Sequence, residues 1–171
     1  MKYLLLFLGL TALANAFSLN LKTFSADFEQ RITDENREVI SYKGHVWADK
    51  NNQALWVYSS PISKKVYIQG GDVKIVEEEL EQVIIKKLNK DIDFLALLKE
   101  AKKVTKDQYR AVYLDNTYTI YTNNVSVKRI SYIDNFANKV EIIFTAQKQN
   151  ETIENSIFEY TVPEDFDILR E

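Results

Sequence analysis

Apolar residues recur at spacings of three and four in an early segment of the chain, which is the period of one face of an α-helix. This pattern predicts a helix over residues 21–32, with an apolar face formed by Leu21, Phe24, Phe28 and Ile32. A second helix is predicted over residues 91–101, where Asp91 or Asp93 can accept hydrogen bonds from the free amides of the first turn. Its apolar stripe consists of Leu95, Leu98 and Ala101, with Phe94 beside it.

The rest of the chain consists of short β-rich runs separated by turn residues, which predicts strands. The expected strands are 38–48, 54–58, 65–69, 73–77, 82–87, 109–114, 118–122, 125–133, 139–145 and 153–162. Gly70 and Gly71 lie between two of these runs and favour a hairpin, because glycine accepts positive φ without penalty. Two helices and about ten short antiparallel strands predict an α+β fold with a barrel or strongly curved sheet.

Parts of several strands are apolar on both faces. In one strand Val140, Ile142 and Phe144 point to one side while Ile143 points to the other. A small closed barrel with one wet face alternates more cleanly than this. Two explanations remain open: a helix packs over one face of the sheet, or the interior contains an apolar cavity for a ligand.

The composition favours a binding protein over an enzyme. The 171 residues include 10 Tyr, 9 Phe and 2 Trp, but no Cys and a single His. Disulfides, thiolate metal sites and His-rich metal clusters are therefore excluded. The formal net charge of −3 argues against a nucleic-acid-binding protein, which usually carries a basic face. No glycine-rich nucleotide motif occurs, and we expect neither a cofactor nor a metal.

Residues 1–16 have the three parts of a secretory signal peptide. Lys2 provides the positive start, residues 3–13 form a short apolar stretch, and residues 14–16 are an A-x-A cleavage site. The apolar stretch is shorter than the roughly 20 residues that span a bilayer. We therefore expect residues 1–16 to be cleaved and residues 17–171 to form a single domain outside the cytoplasm.

Few side chains could perform chemistry. His45 is the only histidine, and no serine-elbow motif accompanies it, so an ordinary surface or strand-edge histidine is the simplest interpretation. Four lysines follow the second predicted helix: Lys99, Lys102, Lys103 and Lys106. They form either a solvated face or a docking surface for an acidic partner or anionic head groups.

Several short motifs occur in the order found in the outer-membrane lipoprotein carrier family. Residues 24–30 carry its F-x-A-x-F-x-Q pattern, and residues 44–47 resemble its G-x-hydrophobic-W pattern. Residues 56–61 resemble W-x-Y-x-x-P, and residues 158–163 resemble the closing strand that leads into a proline turn. The sequence therefore resembles this family over essentially the whole mature chain.

The resemblance implies an unclosed, strongly curved antiparallel β-barrel of about ten or eleven strands, with a helical lid over an apolar cavity. It also implies a periplasmic, monomeric chaperone without an enzymatic step. Such a protein accepts lipoproteins from an inner-membrane ABC transporter, shields their acyl chains and delivers them to an outer-membrane acceptor. Two alternatives remain open: a periplasmic module that binds a free lipid or small apolar ligand, and an enzyme acting on lipids through His45.

The resemblance and the apolar stripes together suggest which residues act. The residues expected to line or cap the cavity are Phe24, Phe28, Trp47, Trp56, Phe94, Leu95 and Leu98. Lys50 occupies the position of an arginine that latches the lid in the family. It keeps the positive charge but lacks the planar guanidinium donors, so a latch at this position would be weaker or differently made. A solvated turn lysine is the alternative interpretation of Lys50.

Overall fold

The structure is a computed structural model that describes residues 19–88, 93–113, 115–123 and 125–170. The expected signal peptide, Asp91 and Leu114 lie outside these residues. Within them the chain forms twelve strands and one α-helix. In chain order these are β1 (Thr23–Thr33), β2 (Val39–Asp49), β3 (Gln53–Ser60), β4 (Lys64–Gln69), β5 (Asp72–Glu77), β6 (Gln82–Lys87), α1 (Phe94–Glu100), β7 (Lys102–Thr105), β8 (Gln108–Tyr113), β9 (Asn116–Thr122), β10 (Val127–Ile133), β11 (Lys139–Gln149) and β12 (Asp167–Arg170).

All described strands belong to one curved sheet in the order β12-β6-β5-β4-β3-β2-β1-β11-β10-β9-β8-β7. Neighbouring strands are antiparallel except for β12, which runs parallel to β6. Within the described residues β12 and β7 do not pair with each other, so the sheet is not closed. The expectation of an unclosed barrel-like sheet with a helix is confirmed, with twelve strands instead of ten or eleven.

The prediction of a helix over residues 21–32 is wrong, because residues 23–33 form strand β1. Phe24, Ala26 and Phe28 alternate along the strand and are all buried on one face. An alternating pattern places a residue at every fourth position on the same side, so Phe24 and Phe28 also satisfy a helical spacing. The segment is a strand because it pairs along its length with β2 on one side and with β11 on the other.

The second predicted helix is confirmed as α1. Oδ1 of Asp93 accepts a hydrogen bond from the backbone N–H of Ala96 at 2.9 Å, which caps the first turn. Leu95, Leu97 and Leu98 are buried against the sheet. Among the described residues, no helix has the length and apolar character needed to cross a membrane.

The two faces of the sheet carry separate apolar clusters. We call the face that contacts α1 the helix face; its cluster includes Phe24, Val46, Leu98 and Phe144. The cluster on the opposite face includes Leu55, Tyr67, Val76, Val83 and Phe158. Apolar residues on both sides of the strands are thus explained by the covering of both faces.

The chain after β11 covers the opposite face and differs from the prediction. Residues 153–162 were expected to form a strand, but they contain only a short 3₁₀ turn, Asn155–Phe158, within irregular structure. Phe158 is buried there, and the chain then returns to the sheet edge as β12. All strands expected between residues 38 and 145 are present, whereas β1, β7 and β12 were not predicted.

Candidate apolar binding site

A cavity of about 190 Å³ lies between α1 and the helix face of the sheet. Its lining residues are Ala54, Trp56, Ile68, Asp93, Phe94, Leu97, Tyr113, Tyr118, Ile130, Tyr132 and Ile142. Apart from Asp93, which caps the helix, these side chains are aliphatic or aromatic. Such a lining is typical of sites for apolar ligands.

Phe94 connects α1 to the sheet at this cavity. Its ring centroid lies 5.3 Å from that of Phe24, 5.9 Å from that of Trp56 and 6.0 Å from that of Phe144. Tilted and edge-on contacts at these distances are favourable for aromatic pairs and add to the free energy of apolar burial. One aromatic side chain of the helix therefore contacts β1, β3 and β11 together.

Gly44 allows the Phe28 ring to lie across strand β2. A Cβ atom at Gly44 would lie 2.0 Å from the carbonyl oxygen of Val57 and 2.8 Å from the Phe28 ring. The carbonyl belongs to the β3 backbone, and Phe28 is buried, so neither can move away easily. Phe28 also contacts Trp56 and Tyr58, each at a centroid distance of 5.1 Å. The glycine of the G-x-hydrophobic-W motif is therefore required for packing beside the cavity.

The expected cavity residues other than Trp47 lie on the helix face and belong to one apolar cluster. Trp56 and Phe94 line the cavity itself. Four others are buried beside it: Phe24, Phe28, Leu95 and Leu98. The structure thus brings six of the seven side chains together around α1. Their contact with acyl chains stays a prediction.

Trp47 lies on the opposite face of the sheet, so its assignment to the cavity is wrong. Successive residues of a strand point to opposite faces. Val46 and Ala48 are both buried on the helix face, which directs the intervening Trp47 away from it. The Trp47 ring packs with the cluster on the opposite face, and its centroid lies 4.0 Å from that of His45.

Lys50 lies in the turn between β2 and β3, where its backbone N–H donates to the Lys22 carbonyl at 2.9 Å. Its side chain is exposed, and no described residue forms a hydrogen bond or ion pair with its ammonium group. The buried Asp49 organises the turn by accepting hydrogen bonds from the backbone and side-chain amides of Asn51, at 2.8 and 2.7 Å. A lid latch at Lys50 stays a prediction.

Sequence reasoning did not assign Leu97, Ile130, Ile142 or Tyr132 to the cavity. Leu97 lies outside the apolar stripe predicted for α1, yet it is buried because it lines the cavity from the side of the helix. The alternation of apolar residues along β11 was a usable signal for Ile142. Nothing in the local pattern indicates that β10 lies close to α1, since only the order of strands in the sheet decides that.

Tyr58 and Tyr132 are two of the tyrosines on the helix face. Burial raises the pKa of Tyr58 to about 12, and the neighbouring Tyr132 and Tyr42 contribute to the increase. Burial also raises the pKa of Tyr132 to about 12. Both side chains are therefore neutral hydrogen-bond donors at neutral pH. Oη of Tyr58 donates to Oε1 of Gln30 at 3.1 Å.

His45 lies on the opposite face, where its Nδ1 is 2.6 Å from Oδ1 of Asp27. The two residues face each other in the pairing of β1 with β2, a relationship that spacing along the chain does not reveal. Asp27, His45 and Ser59 line one groove, but the Ser59 hydroxyl donates to the Lys43 carbonyl at 3.2 Å. The described residues therefore form no serine–histidine arrangement here. Among them, no three His, Asp or Glu side chains are grouped to hold a metal ion.

The fold and the site define a class of protein: an open, curved β-sheet whose apolar face and cavity are covered by one short helix, as expected of a carrier for apolar ligands. Comparison with known families agrees with this class. The model of the family described as outer membrane lipoprotein carrier protein LolA matches residues 19–120. The chain belongs to the outer-membrane lipoprotein carrier family.

Two relatives are each named outer-membrane lipoprotein carrier protein. The relative from Campylobacter jejuni is 37% identical over 91% of this chain and 90% of its own length. The relative from Wolinella succinogenes is 31% identical over 100% of both chains. The similarity thus extends beyond the region that the family model matches.

Solved structures share the fold at low sequence identity. A LolA superfamily protein from Nitrosomonas europaea aligns with a TM-score of 0.51 at 10% identity, covering 84% of this chain and 93% of that one. A conserved protein from Thermus thermophilus aligns with a TM-score of 0.53 at 10% identity, covering 90% and 93% of the two chains. These likenesses support the open curved sheet as the fold.

Proposed function

We propose that this chain is a periplasmic chaperone that accepts lipoproteins released from the inner membrane, shields their acyl chains and delivers them to the outer membrane. The observation that carries the proposal is the cavity between α1 and the helix face, with its apolar and aromatic lining. The relatives named as lipoprotein carriers support the same function. Residues 1–16 provide the signal peptide that directs the chain to the periplasm.

The size of the cavity requires α1 to move when cargo enters. A volume of about 190 Å³ is below the roughly 300–1,000 Å³ of sites that enclose a drug-sized ligand. Long acyl chains need more space than this, and α1, a helix of seven residues, is the described element that covers the cavity. We propose that α1 is the lid and that acyl chains take the place of its leucine and phenylalanine side chains on the sheet.

The energetics of acyl chains favour such a lid. Burial of one CH₂ group is worth about 0.8 kcal/mol, so a single long chain gains roughly 10 kcal/mol when it leaves water. A carrier must offset most of the free-energy cost of exposing these chains to water and still release its cargo. Closure of α1 over the empty site competes with binding, because both bury the same apolar surface. The net affinity is lowered to a level at which a stronger acceptor can take the cargo.

The proposed transfer of lipoproteins from the inner to the outer membrane implies two partners. An inner-membrane ABC transporter loads the chain, an outer-membrane acceptor removes the cargo, and the carrier itself works as a monomer without a catalytic step. The proposal assigns Phe24, Phe28, Trp56, Phe94, Leu95 and Leu98 to the acyl-chain site or its lid. The lysines around β7 provide a positive surface on which an acidic partner could dock.

A loading assay tests the proposal. Inner-membrane vesicles that contain the transporter are incubated with ATP and the purified mature chain, and released lipoprotein is measured in the soluble fraction. We expect a complex of the chain with the lipoprotein, which native mass spectrometry identifies by its mass. A preparation that releases no lipoprotein in the presence of the chain would contradict the proposal.

The second candidate function is binding of a free lipid or small apolar ligand. The present volume favours it, since a cavity of about 150 Å³ lined by aliphatic and aromatic residues can hold one small apolar molecule. The same mass spectra distinguish the two functions. A bound small lipid in the purified protein, without transfer of lipoprotein, supports the second candidate, whereas an acylated protein cargo supports the chaperone.

A further inference from the structure

Four tyrosines of the helix face form a row that begins at the cavity. Tyr118 and Tyr132 line the cavity, and their ring centroids are 4.9 Å apart. Tyr58 and Tyr42 continue the row, with ring centroids 6.0 Å apart. Phe28 connects Tyr58 to the cavity, because its ring centroid lies 5.1 Å from that of Tyr58 and 5.1 Å from that of the cavity-lining Trp56. We call these four residues the tyrosine row.

A lysine lies on the outer part of this row. Nζ of Lys64 is 4.8 Å from the ring centroid of Tyr58 and 5.8 Å from that of Tyr42, within the range of cation–π attraction. No described carboxylate forms an ion pair with Lys64. Its neighbour Lys65, in contrast, pairs with Glu78 at 2.6 Å. The ammonium of Lys64 is therefore held by aromatic rings and keeps hydrogen-bond donors for a ligand.

The polar groups of this region include the phenols of Tyr58 and Tyr132 and the ammonium group of Lys64. Tyr58 donates to Gln30, while the hydroxyl of Tyr132 has no hydrogen-bond partner among the described residues, although its ring is half-buried. Both phenols are neutral at neutral pH. The Tyr132 hydroxyl is available to an acceptor that enters the cavity, whereas Tyr58 can donate to one only by giving up its bond to Gln30. The matching ligand is one that carries several acceptor oxygens next to apolar chains.

An acylated protein N-terminus has this chemistry. Each acyl chain ends in an ester or amide carbonyl, and these oxygens cluster where the chains join the glyceryl and cysteine groups. Trp56, Phe94 and Ile142 form an apolar lining at the cavity end of the row. The site therefore places an apolar lining beside phenol and ammonium groups, as the cargo places its chains beside carbonyl groups.

We propose that Tyr58, Tyr132 and Lys64 form a subsite for the ester and amide carbonyls of the cargo, placed next to the apolar site for its chains. This inference rests on the proposed chaperone function and adds a specificity element to it. The apolar surface binds any acyl chain, whereas the donors favour chains that carry carbonyl groups at their joined ends. A hydrocarbon of equal length without those carbonyls should bind more weakly.

The test compares two soluble lipopeptides that differ only in their linkages. One carries two ester-linked chains on an S-glyceryl cysteine peptide, and the other carries the same chains through ether bonds. Affinities are measured by displacement of a fluorescent apolar dye from the mature chain. The variants are Tyr58→Phe, Tyr132→Phe and Lys64→Met, and the control is Tyr160→Phe on the opposite face. Melting temperatures verify that each variant is folded.

We expect the unmodified chain to bind the diester more tightly than the diether. Tyr132→Phe should lose about fivefold in affinity for the diester and nothing for the diether, because only a hydrogen bond is removed. Tyr58→Phe should lose less, because its hydroxyl exchanges the Gln30 acceptor for the ligand. Two results would overturn the subsite while leaving the chaperone function intact. One is equal affinity of the chain for both peptides, and the other is an equal loss of affinity for both peptides in the variants. Failure of the unmodified chain to bind either peptide would instead overturn the chaperone function.

Discussion

The ring of Phe94 in α1 lies 5.3 Å from the ring of Phe24 in β1, with the two planes inclined by 50°. Phe24 is fully buried and is also in edge-on contact with Phe144, at 5.3 Å. The helix thus rests on a buried aromatic base that belongs to the centre of the sheet. The paired strands form the base of the site, and α1 covers this base through side-chain packing.

The variant Phe94→Ala should loosen this cover without unfolding the sheet. Removal of a half-buried phenyl group from the helix should lower the free energy of unfolding by about 2 kcal/mol. Uptake of an apolar fluorescent dye should become faster, because the helix face is uncovered more often. Urea denaturation and stopped-flow fluorescence measure the two effects.

Phe136→Ala is the matched control, since the Phe136 side chain is 85% exposed. We expect it to change stability by less than about 0.5 kcal/mol and to leave dye uptake unchanged. Equal uptake rates in Phe94→Ala and in the unmodified chain would argue against α1 as the lid.

The variant Gly44→Ala should be strongly destabilised. Its methyl group would lie 2.0 Å from the Val57 carbonyl oxygen, a contact that requires the β2 and β3 backbones to separate. We expect a loss of roughly 3 kcal/mol or more in the free energy of unfolding, the upper range for overpacked positions. Lys43→Ala, at the adjacent exposed position, should stay within about 0.5 kcal/mol in the same urea titration.

The latch hypothesis for Lys50 predicts opposite effects of two substitutions. Lys50→Arg should slow the loading of lipoprotein, because a guanidinium adds donors in a fixed plane, whereas Lys50→Leu should speed it. An exposed charge near the carbonyl end of a helix is worth only about 0.3–1 kcal/mol, so rate changes of up to about fivefold are expected. Unchanged loading and transfer in both variants would assign lid closure to the apolar packing of α1 alone.

Stability should decrease at high pH because of the buried phenols. The pKa values of Tyr58 and Tyr132 rise from 10.0 to about 12 on folding. Below pH 10 both groups are protonated in the folded and unfolded states, so their contribution is constant. Between pH 10 and 12 the unfolded chain loses these protons first, which should lower the free energy of unfolding by roughly 2 kcal/mol for each phenol.

Urea titrations at intervals between pH 9 and 12 measure this decrease. The double variant Tyr58→Phe/Tyr132→Phe should show a smaller decrease over the same interval, because only the other tyrosines and the lysines remain to titrate. An identical decrease in the double variant and the unmodified chain would contradict the assignment to these two phenols.

The sequence by itself determined α1, the strands between residues 38 and 145 and the family motifs. These features depend on local signals that act over a few residues. Asp93 caps a helix because its own carboxylate reaches the amide of Ala96. Turn residues end strands because they define the local backbone angles.

Tertiary structure decided the features that depend on which strands become neighbours. The 24–30 segment satisfies both helical and extended spacing, and only pairing with β2 and β11 makes it a strand. Trp47 faces away from the cavity because Val46 and Ala48 are buried on the helix face. The tyrosine row collects residues from β2, β3, β9 and β10, which lie far apart in the chain. Such proximity arises from strand order and sheet curvature, for which local sequence patterns carry no signal.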